Sequence, residues 1–152
     1  MKGRFIRVFG AVMILIALLF AQAYCEETKV TVLVDQLNGR LSPSKGAHRE
    51  AMFDRGDILT ATGKWSKDHK WIEVKGGESG TVWCDIRYLS ERTDTFMITN
   101  YGNTAVKIRS RPVNGKVTGY LKKGKYLEVT QEILGWGKTD KGWIDLSYVI
   151  EE

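Results

Sequence analysis

The sequence Trp83-Cys84-Asp85-Ile86-Arg87-Tyr88-Leu89 returns in the same form as Trp143-Ile144-Asp145-Leu146-Ser147-Tyr148-Val149. Trp, Asp and Tyr keep their spacing in both stretches, and the residue after each of them is apolar. This pattern indicates two copies of one small unit. A duplicated unit that carries no evident reaction chemistry favours a binding function over catalysis.

The correspondence between the copies extends well beyond this stretch. Matched pairs are Leu37 and Val106, Arg40 and Arg109, Pro43 and Pro112, Gly56 and Gly124, Leu59 and Leu127, and Trp71 and Trp136. Each copy has roughly 55–60 residues, close to the smallest size at which one hydrophobic core supports a fold. The polar segment 91–94 falls between the copies, so the predicted domains are residues 28–91 and 95–152. With two copies and so long a period, the chain is interpreted as tandem domains and not as a solenoid.

Short runs rich in β-branched and aromatic residues predict strands in both copies. Glycines and charged residues separate these runs, and no long stretch has apolar residues at helical spacing. The sequence therefore predicts an all-β fold with tight turns. The clearest predicted strands are residues 29–34, 56–61, 71–74, 117–121 and 126–130.

The N-terminal residues predict a secretion signal. Lys2, Arg4 and Arg7 form a basic start, an apolar run covers residues 8–20, and Ala21-Gln22-Ala23 provides a small-x-small cleavage site. Residues 1–23 are therefore predicted to be a cleaved signal peptide, and the chain to be secreted or extracytoplasmic, without stable membrane insertion after cleavage. A transmembrane anchor is the alternative, but a span needs about 20 apolar residues. Lipid attachment at Cys25 is a further alternative. It requires a small residue directly before the cysteine, and Tyr24 occupies that position.

Removing the signal changes the charge argument. The whole chain has a formal net charge of +5, of which the three basic residues of the signal supply +3 and leave +2. The remainder is uneven, because residues 24–94 carry −1 and residues 95–152 carry +3. The basic bias of the second copy is compatible with an anionic wall polymer or a membrane surface, and a solvated surface is the plainer alternative. No nucleic-acid partner is predicted.

Two cysteines and two histidines are the residues to test for chemistry. Cys25 and Cys84 could form a disulfide in an oxidising compartment, but Cys84 aligns with Ile144 and is equally interpreted as a buried apolar side chain. Neither cysteine makes a credible nucleophile–base pair with His48 or His69. The four residues also lack the paired spacing of a zinc site. No enzymatic activity, metal or cofactor is predicted.

The matched residues of the second copy resemble those of the bacterial SH3-like (SH3b) domain. They are 106–112 (Val-Lys-Ile-Arg-Ser-Arg-Pro), 121–124 (Leu-Lys-Lys-Gly), Gly135-Trp136 and Gly142-Trp143-Ile144. The first copy departs from this pattern at Gly39, Lys70 and Val82. The resemblance implies two small, partly open β-barrels of five or six strands. It also implies a secreted protein that attaches to cell-wall peptidoglycan or its peptide cross-bridges.

Binding is thus the predicted function, with a wall peptide as ligand or, alternatively, a partner protein held by an adaptor or regulator. Asp85 and Asp145 are predicted to cap short helical turns, and Trp83, Tyr88, Trp143 and Tyr148 to pack in the core or turns. Trp65 lies in a lysine-rich insertion with no counterpart in the second copy, so an exposed role and a packed one are left open. The candidate ligand-binding residues are Trp65, His69, Trp71, Arg109, Tyr120, Tyr126 and Trp136.

Overall fold

Antiparallel strands make up most of the chain that the computed structural model describes, which is residues 27–152. The first copy contains β1 Thr28–Val32, β2 Leu37–Arg40, β3 Arg49–Phe53, β4 Ile58–Trp65, β5 Trp71–Lys75, β6 Thr81–Asp85 and β7 Leu89–Ser90. The second contains β8 Phe96–Thr99, β9 Val106–Arg109, β10 Val117–Leu121, β11 Tyr126–Val129, β12 Gln131–Ile133, β13 Trp136–Thr139, β14 Gly142–Asp145 and β15 Ile150–Glu151. The predicted signal peptide 1–23 and Cys25 lie outside the described residues.

The order of strand pairing is the same in both copies. The first copy forms one sheet in the order β3-β2-β6-β5-β4-β1-β7. The corresponding strands of the second copy form two sheets, β10-β9-β14-β13-β12 and β11-β8-β15. The difference arises in one strand, because β4 is continuous through a bulge between Ala61 and Trp65 while its counterpart divides at Thr130 into β11 and β12. None of the sheets in residues 27–152 closes into a barrel, and the predicted all-β class with partly open domains is confirmed.

The Trp–Asp–Tyr element ends each copy. Asp85 and Asp145 precede short 3-10 turns, Ile86–Tyr88 and Leu146–Tyr148, and each carboxylate accepts the backbone N–H two residues further on at 3.0 Å. The predicted capping role is therefore confirmed, because this bond satisfies a donor that a short turn leaves unpaired. Within the described part of the chain, no helix is long and apolar enough to cross a membrane.

The first copy's core extends across the boundary between the copies. Ile133 and Trp143 of the second copy lie in the same buried cluster as Ile72 and Leu89 of the first. A separate cluster around Ile98 holds the second copy together. One apolar core is therefore shared between the copies and another belongs to the second copy alone.

Polar contacts between β7 and β12 continue this shared core. Ser90 Oγ donates to Glu132 O at 3.3 Å and accepts from Glu132 N at 3.0 Å, and Glu91 N donates to Glu132 O at 2.8 Å. Beside them, the buried Gln131 side chain donates through Nε2 to Ile86 O at 2.6 Å and to the carbonyl of Leu89. The copies are thus joined by directed hydrogen bonds as well as by apolar packing.

The first copy's departures at Gly39 and Val82 are one compensated exchange. A Cβ at Gly39 would lie 2.6 Å from Val82 Cγ2, so the valine fills the space that a larger residue would need. In the second copy the sizes are reversed, because Ile108 corresponds to Gly39 and Gly142 corresponds to Val82. A Cβ at Gly142 would lie 3.1 Å from Ile108 Cγ2 and 2.5 Å from Arg109 O. The two copies therefore fill the same β2–β6 and β9–β14 contacts with opposite arrangements of small and large residues.

Candidate functional site

An open groove of about 780 Å³ lies in the second copy, beside its Trp–Asp–Tyr element. We call it the second-copy groove. One wall is formed by the loop between β8 and β9 with the start of β9, and the other includes Trp136, Asp145 and Tyr148. Tyr148 is 69% exposed and Trp136 is half-buried. Aromatic faces beside a carboxylate suit an extended ligand that has both apolar and donor groups.

The loop that walls this groove is held from beneath by Asn100. The Asn100 side chain is buried; its Nδ2 donates to Thr104 O at 2.9 Å and to Leu121 O at 3.0 Å. Its Oδ1 accepts from Gly102 N at 2.8 Å. Because a buried amide with its hydrogen bonds satisfied is costly to displace, the wall is built in advance of any ligand.

Arg109 borders the groove and also holds the loop that follows β9. Its Nη1 donates to Gly115 O at 3.0 Å, and Arg40 of the first copy donates in the same way to Ala47 O at 2.7 Å. The matched arginines are therefore structural anchors in both copies. A ligand could bind only the guanidinium N–H groups of Arg109 that this hydrogen bond does not use.

Asp145 lines the groove, and one of its carboxylate oxygens has no partner among the residues that the structure describes. Its Oδ1 accepts from Ser147 N at 3.0 Å and from Ser147 Oγ at 2.6 Å. Among residues 27–152, Oδ2 accepts no hydrogen bond and Asp145 is in no ion pair. This oxygen can therefore accept a donor from a ligand.

The corresponding groove of the first copy is smaller, at about 420 Å³, and its carboxylate is occupied. Arg87 stands where the second copy has Ser147, and its Nε and Nη2 donate to both oxygens of Asp85 at 2.6–3.1 Å. The Arg87 guanidinium also lies 5.2 Å from the Tyr88 ring centroid. Trp71, the counterpart of Trp136, is only 6% exposed. The first copy thus keeps the shape of the site but neutralises its charge and covers its tryptophan.

The structure brings some of the predicted site residues together and separates others. Trp136 and Arg109 border the second-copy groove, while Trp71 borders the first-copy groove. Tyr120 and Tyr126 are exposed but border neither groove. Their part in binding stays a prediction that their position does not favour.

The positions of three further aromatic side chains test the predictions about packing. Trp65 is half-buried against the first core, with its ring centroid 5.7 Å from that of His69, so the packed alternative holds. The expected packing of Tyr148 is wrong, because this side chain projects from its turn into the open groove. Tyr88 packs against the first core as expected. The sequence pattern missed Tyr148 because its spacing is identical to that of Tyr88.

Cys84 is the cysteine that the structure describes, and it lies in the core of the first copy. Burial raises the pKa of the Cys84 thiol to about 12, and the neighbouring Asp85 charge adds to the effect. Cys84 is in no disulfide with any residue of the described range, and its pairing with Cys25 stays a prediction. In the same range no group of three His, Cys, Asp or Glu residues could hold a metal ion.

Comparisons with known proteins identify no family for this chain. No family model matches it, and no curated protein matches it significantly. Among solved structures, NlpC1 and NlpC2 from Trichomonas vaginalis are 13% and 12% identical over 86% of this chain, with TM-scores of 0.36 and 0.35. The chain spans about half the length of these two proteins, 48% and 50%. At these TM-scores the likeness carries no argument about function.

Proposed function

We propose that the chain is a secreted, non-catalytic binding module of the SH3-like type. Its second copy would hold a peptide segment of cell-wall peptidoglycan, or of its cross-bridges, in the second-copy groove. The observation that carries this proposal is the open groove in which Trp136, the exposed Tyr148 and the unoccupied Asp145 oxygen meet. The sequence resemblance of this copy to bacterial SH3-like domains supports the same conclusion.

The chemistry of the groove fits a peptide. A peptide offers amide or amine N–H groups, which the carboxylate of Asp145 can accept, and apolar parts that pack on Tyr148 and Trp136. Aromatic side chains lose little conformational entropy when they bind, so a short segment can be held on a small surface. The prebuilt wall at Asn100 reduces the ordering cost of binding further.

Two other features support the non-catalytic and secreted parts of the proposal. A cysteine nucleophile must be available as the thiolate, whereas the thiol of Cys84 is buried and its pKa is raised. The basic and apolar N-terminal sequence favours export across a membrane.

Cosedimentation with purified cell-wall sacculi tests the proposal. We expect Tyr148→Ala to weaken binding by about tenfold, the loss typical of an aromatic contact at the centre of an interface. Tyr120→Ala is the matched control, because Tyr120 is 57% exposed and lies outside the groove, and it should bind like the parent protein. Both variants remove an exposed side chain, so both are expected to fold.

A parent protein that stays wholly in the supernatant at low salt would overturn the wall-binding proposal. The alternative, an extracytoplasmic adaptor for a partner protein, has its own observation in the exposed outer strand β10. This strand pairs only with β9 among the described strands, and such an edge can accept an added peptide strand. The alternative would be favoured by a crosslink to a partner protein that persists in Tyr148→Ala and disappears when β10 is altered.

A further inference from the structure

A second large concavity, also of about 780 Å³, lies between the two copies. The first copy borders it through residues 43–45, 68–71 and 85–87, and the second copy through residues 110–111, Lys138 and Trp143. We call it the inter-copy groove. It shares no residue with the second-copy groove.

Positive charge dominates this groove. Its two carboxylates are already paired, since Asp68 lies 3.8 Å from the Lys70 ammonium and Asp85 lies 2.6 Å from the Arg87 guanidinium. Three further cations border it and, within residues 27–152, none of them is in an ion pair; they are Lys45, Arg111 and Lys138. The groove therefore carries +3, although the chain after the predicted signal carries only +2 in total.

The shape of the groove strengthens this charge. Trp71 and Trp143 border it and are each only 6% exposed, so they form part of a solid apolar wall. The Lys138 ammonium lies 6.0 Å from the centroid of the Trp143 ring, in reach of a weak cation–π attraction. A concave surface with low-dielectric walls concentrates the electric field, and so it attracts anions more strongly than a flat surface with the same charge.

Arg111 is positioned to give this attraction direction. Its Nε donates to Asn114 Oδ1 at 3.1 Å, and a Cβ at Gly115 would lie 2.4 Å from Arg111 N, so the loop packs closely around it. The bond at Nε leaves the terminal guanidinium nitrogens to a ligand. A planar guanidinium matches the paired oxygens of a phosphate or carboxylate.

His69, at the rim of the groove, ends the turn between β4 and β5, where its backbone N–H donates to Ser66 O at 3.0 Å. Its backbone has φ 54°, in the left-handed region that non-glycine residues seldom adopt. Its Nδ1 is buried and has no hydrogen-bond partner among the described residues. Leu134, the matching residue in the turn between β12 and β13, has a similar φ of 45°, so the hairpin accounts for the backbone of His69. The unpaired Nδ1 is the feature that remains, and a ligand at the rim could satisfy it.

We propose that the inter-copy groove binds an oxyanion, a phosphate or carboxylate group of its ligand, between Arg111 and the ammonium groups of Lys45 and Lys138. This site goes beyond the proposed function, because it requires neither the second-copy groove nor a wall peptide. Since both copies supply cations, the bound anion would also draw them together.

Nuclear magnetic resonance titration of the full secreted chain tests the site. Inorganic phosphate and tetraglutamate are the two probes, each added at constant ionic strength against a sodium chloride reference. We expect saturable shifts at the Arg111 Nε–H and the Trp143 indole N–H. Tyr148→Ala should leave these shifts unchanged, which separates this site from the proposed peptide groove.

Paired charge variants give the matched comparison. Arg111→Gln with Lys138→Gln should weaken binding of the effective probe by at least about tenfold, because it removes two of the three unpaired cations. Lys122→Gln with Lys125→Gln removes the same charge from the exposed β10–β11 turn and should change the affinity less than about twofold. If the first pair does not fold, Lys45→Gln alone, on an exposed loop, gives the same comparison with a smaller loss.

The outcomes are distinct. Saturation by phosphate alone or by tetraglutamate alone identifies the oxyanion, and saturation by both supports a site for either group. The proposal would be overturned if the shifts spread over the surface lysines, or if matched sodium chloride abolished them. Equal weakening of binding in both double variants would also overturn it. So would the absence of any saturable shift with either probe.

Discussion

Gly39 and Val82 form a small–large pair whose counterpart in the second copy, Ile108 and Gly142, is reversed in size. This reversal leads to a prediction about coupled substitutions. Gly39→Ile should lower the free energy of unfolding by about 1–3 kcal/mol, because its side chain would overlap Val82. Adding Val82→Gly should recover part of this loss, since the double variant reproduces the second copy's arrangement.

Chemical denaturation of the parent, both single variants and the double variant measures the coupling between the two sites. Val82→Gly alone should also destabilise, because it leaves a cavity and adds a flexible residue to β6. Destabilisations that simply add in the double variant would contradict the compensated exchange. Gly39→Ile with Met52→Gly, which alters an exposed strand residue instead, is a control in which no recovery is expected.

The seam between β7 and β12 contains two carboxyl groups, those of Glu91, which follows β7, and of Glu132 in β12. Burial raises the pKa of Glu91, and the charge of Glu132 adds to this, while the hydrogen bond from Leu134 N opposes it. Burial likewise raises the pKa of Glu132, against the opposing charge of Arg92. Ionisation of Glu91 is therefore less favourable in the folded protein than in the unfolded chain.

Glu91→Gln should consequently stabilise the protein at neutral pH. Because the pKa of Glu91 is raised on folding, its contribution to the free energy of unfolding is fully present at pH values below the unfolded-state pKa of 4.5. That contribution is lost as pH rises through the folded-state pKa. The glutamine has no such dependence, and its carbonyl can still accept from Leu134 N. The stability gained by the variant should therefore be largest at pH 7–8 and should shrink as pH falls towards 4.5.

Urea denaturation of both proteins across this pH range measures the difference. A gain that is constant with pH would show that the carboxyl group does not titrate differently in the folded state. Glu128→Gln serves as a control, because Glu128 is an exposed residue of β11 and should give little change at any pH.

The sequence pattern predicts elements better than it predicts their surfaces. The predicted bounds of β5 and β10 agree with the structure within a residue, since each is a short run with β-branched or aromatic residues beside a glycine. It ended β4 too early, at residue 61, because the bulge near Gly63 (φ 86°) lets the strand continue as far as Trp65. Trp65 is consequently packed against the first core, which the pattern of residues 56–61 could not reveal because it stopped short of this position.

The sequence predicts part of the candidate site, namely the residues that the repeat marks. Trp136 and Arg109 are marked by the repeat, and both border the second-copy groove. Tyr148 and Tyr88 have identical spacing, and their different exposure follows from the surrounding copy. The inter-copy groove depends on how two copies pack, which a repeat pattern in one sequence does not specify.

Duplication followed by divergence has given the two copies different surfaces, although their strands pair in the same order. The second copy keeps an open groove with an unpaired carboxylate, while Arg87 neutralises the carboxylate in the smaller groove of the first. The first copy instead contributes the insertion that carries His69 and Lys70 to the inter-copy groove. Each copy therefore supplies something that the other lacks, and the two copies meet in one buried cluster.

That contact predicts coupled stability. Ile133 is fully buried in a cluster with Ile72 of the first copy, so Ile133→Ala should lower the free energy of unfolding by about 2–5 kcal/mol. Amide hydrogen exchange should show the loss at Ile72 as well as in the second copy, because the cavity opens in the shared core. Val149→Ala is the control, since Val149 packs against the separate cluster around Ile98 and should reduce protection there while leaving Ile72 less affected. If Ile133→Ala leaves the exchange of Ile72 unchanged, the copies are energetically independent and the shared core does not hold them together.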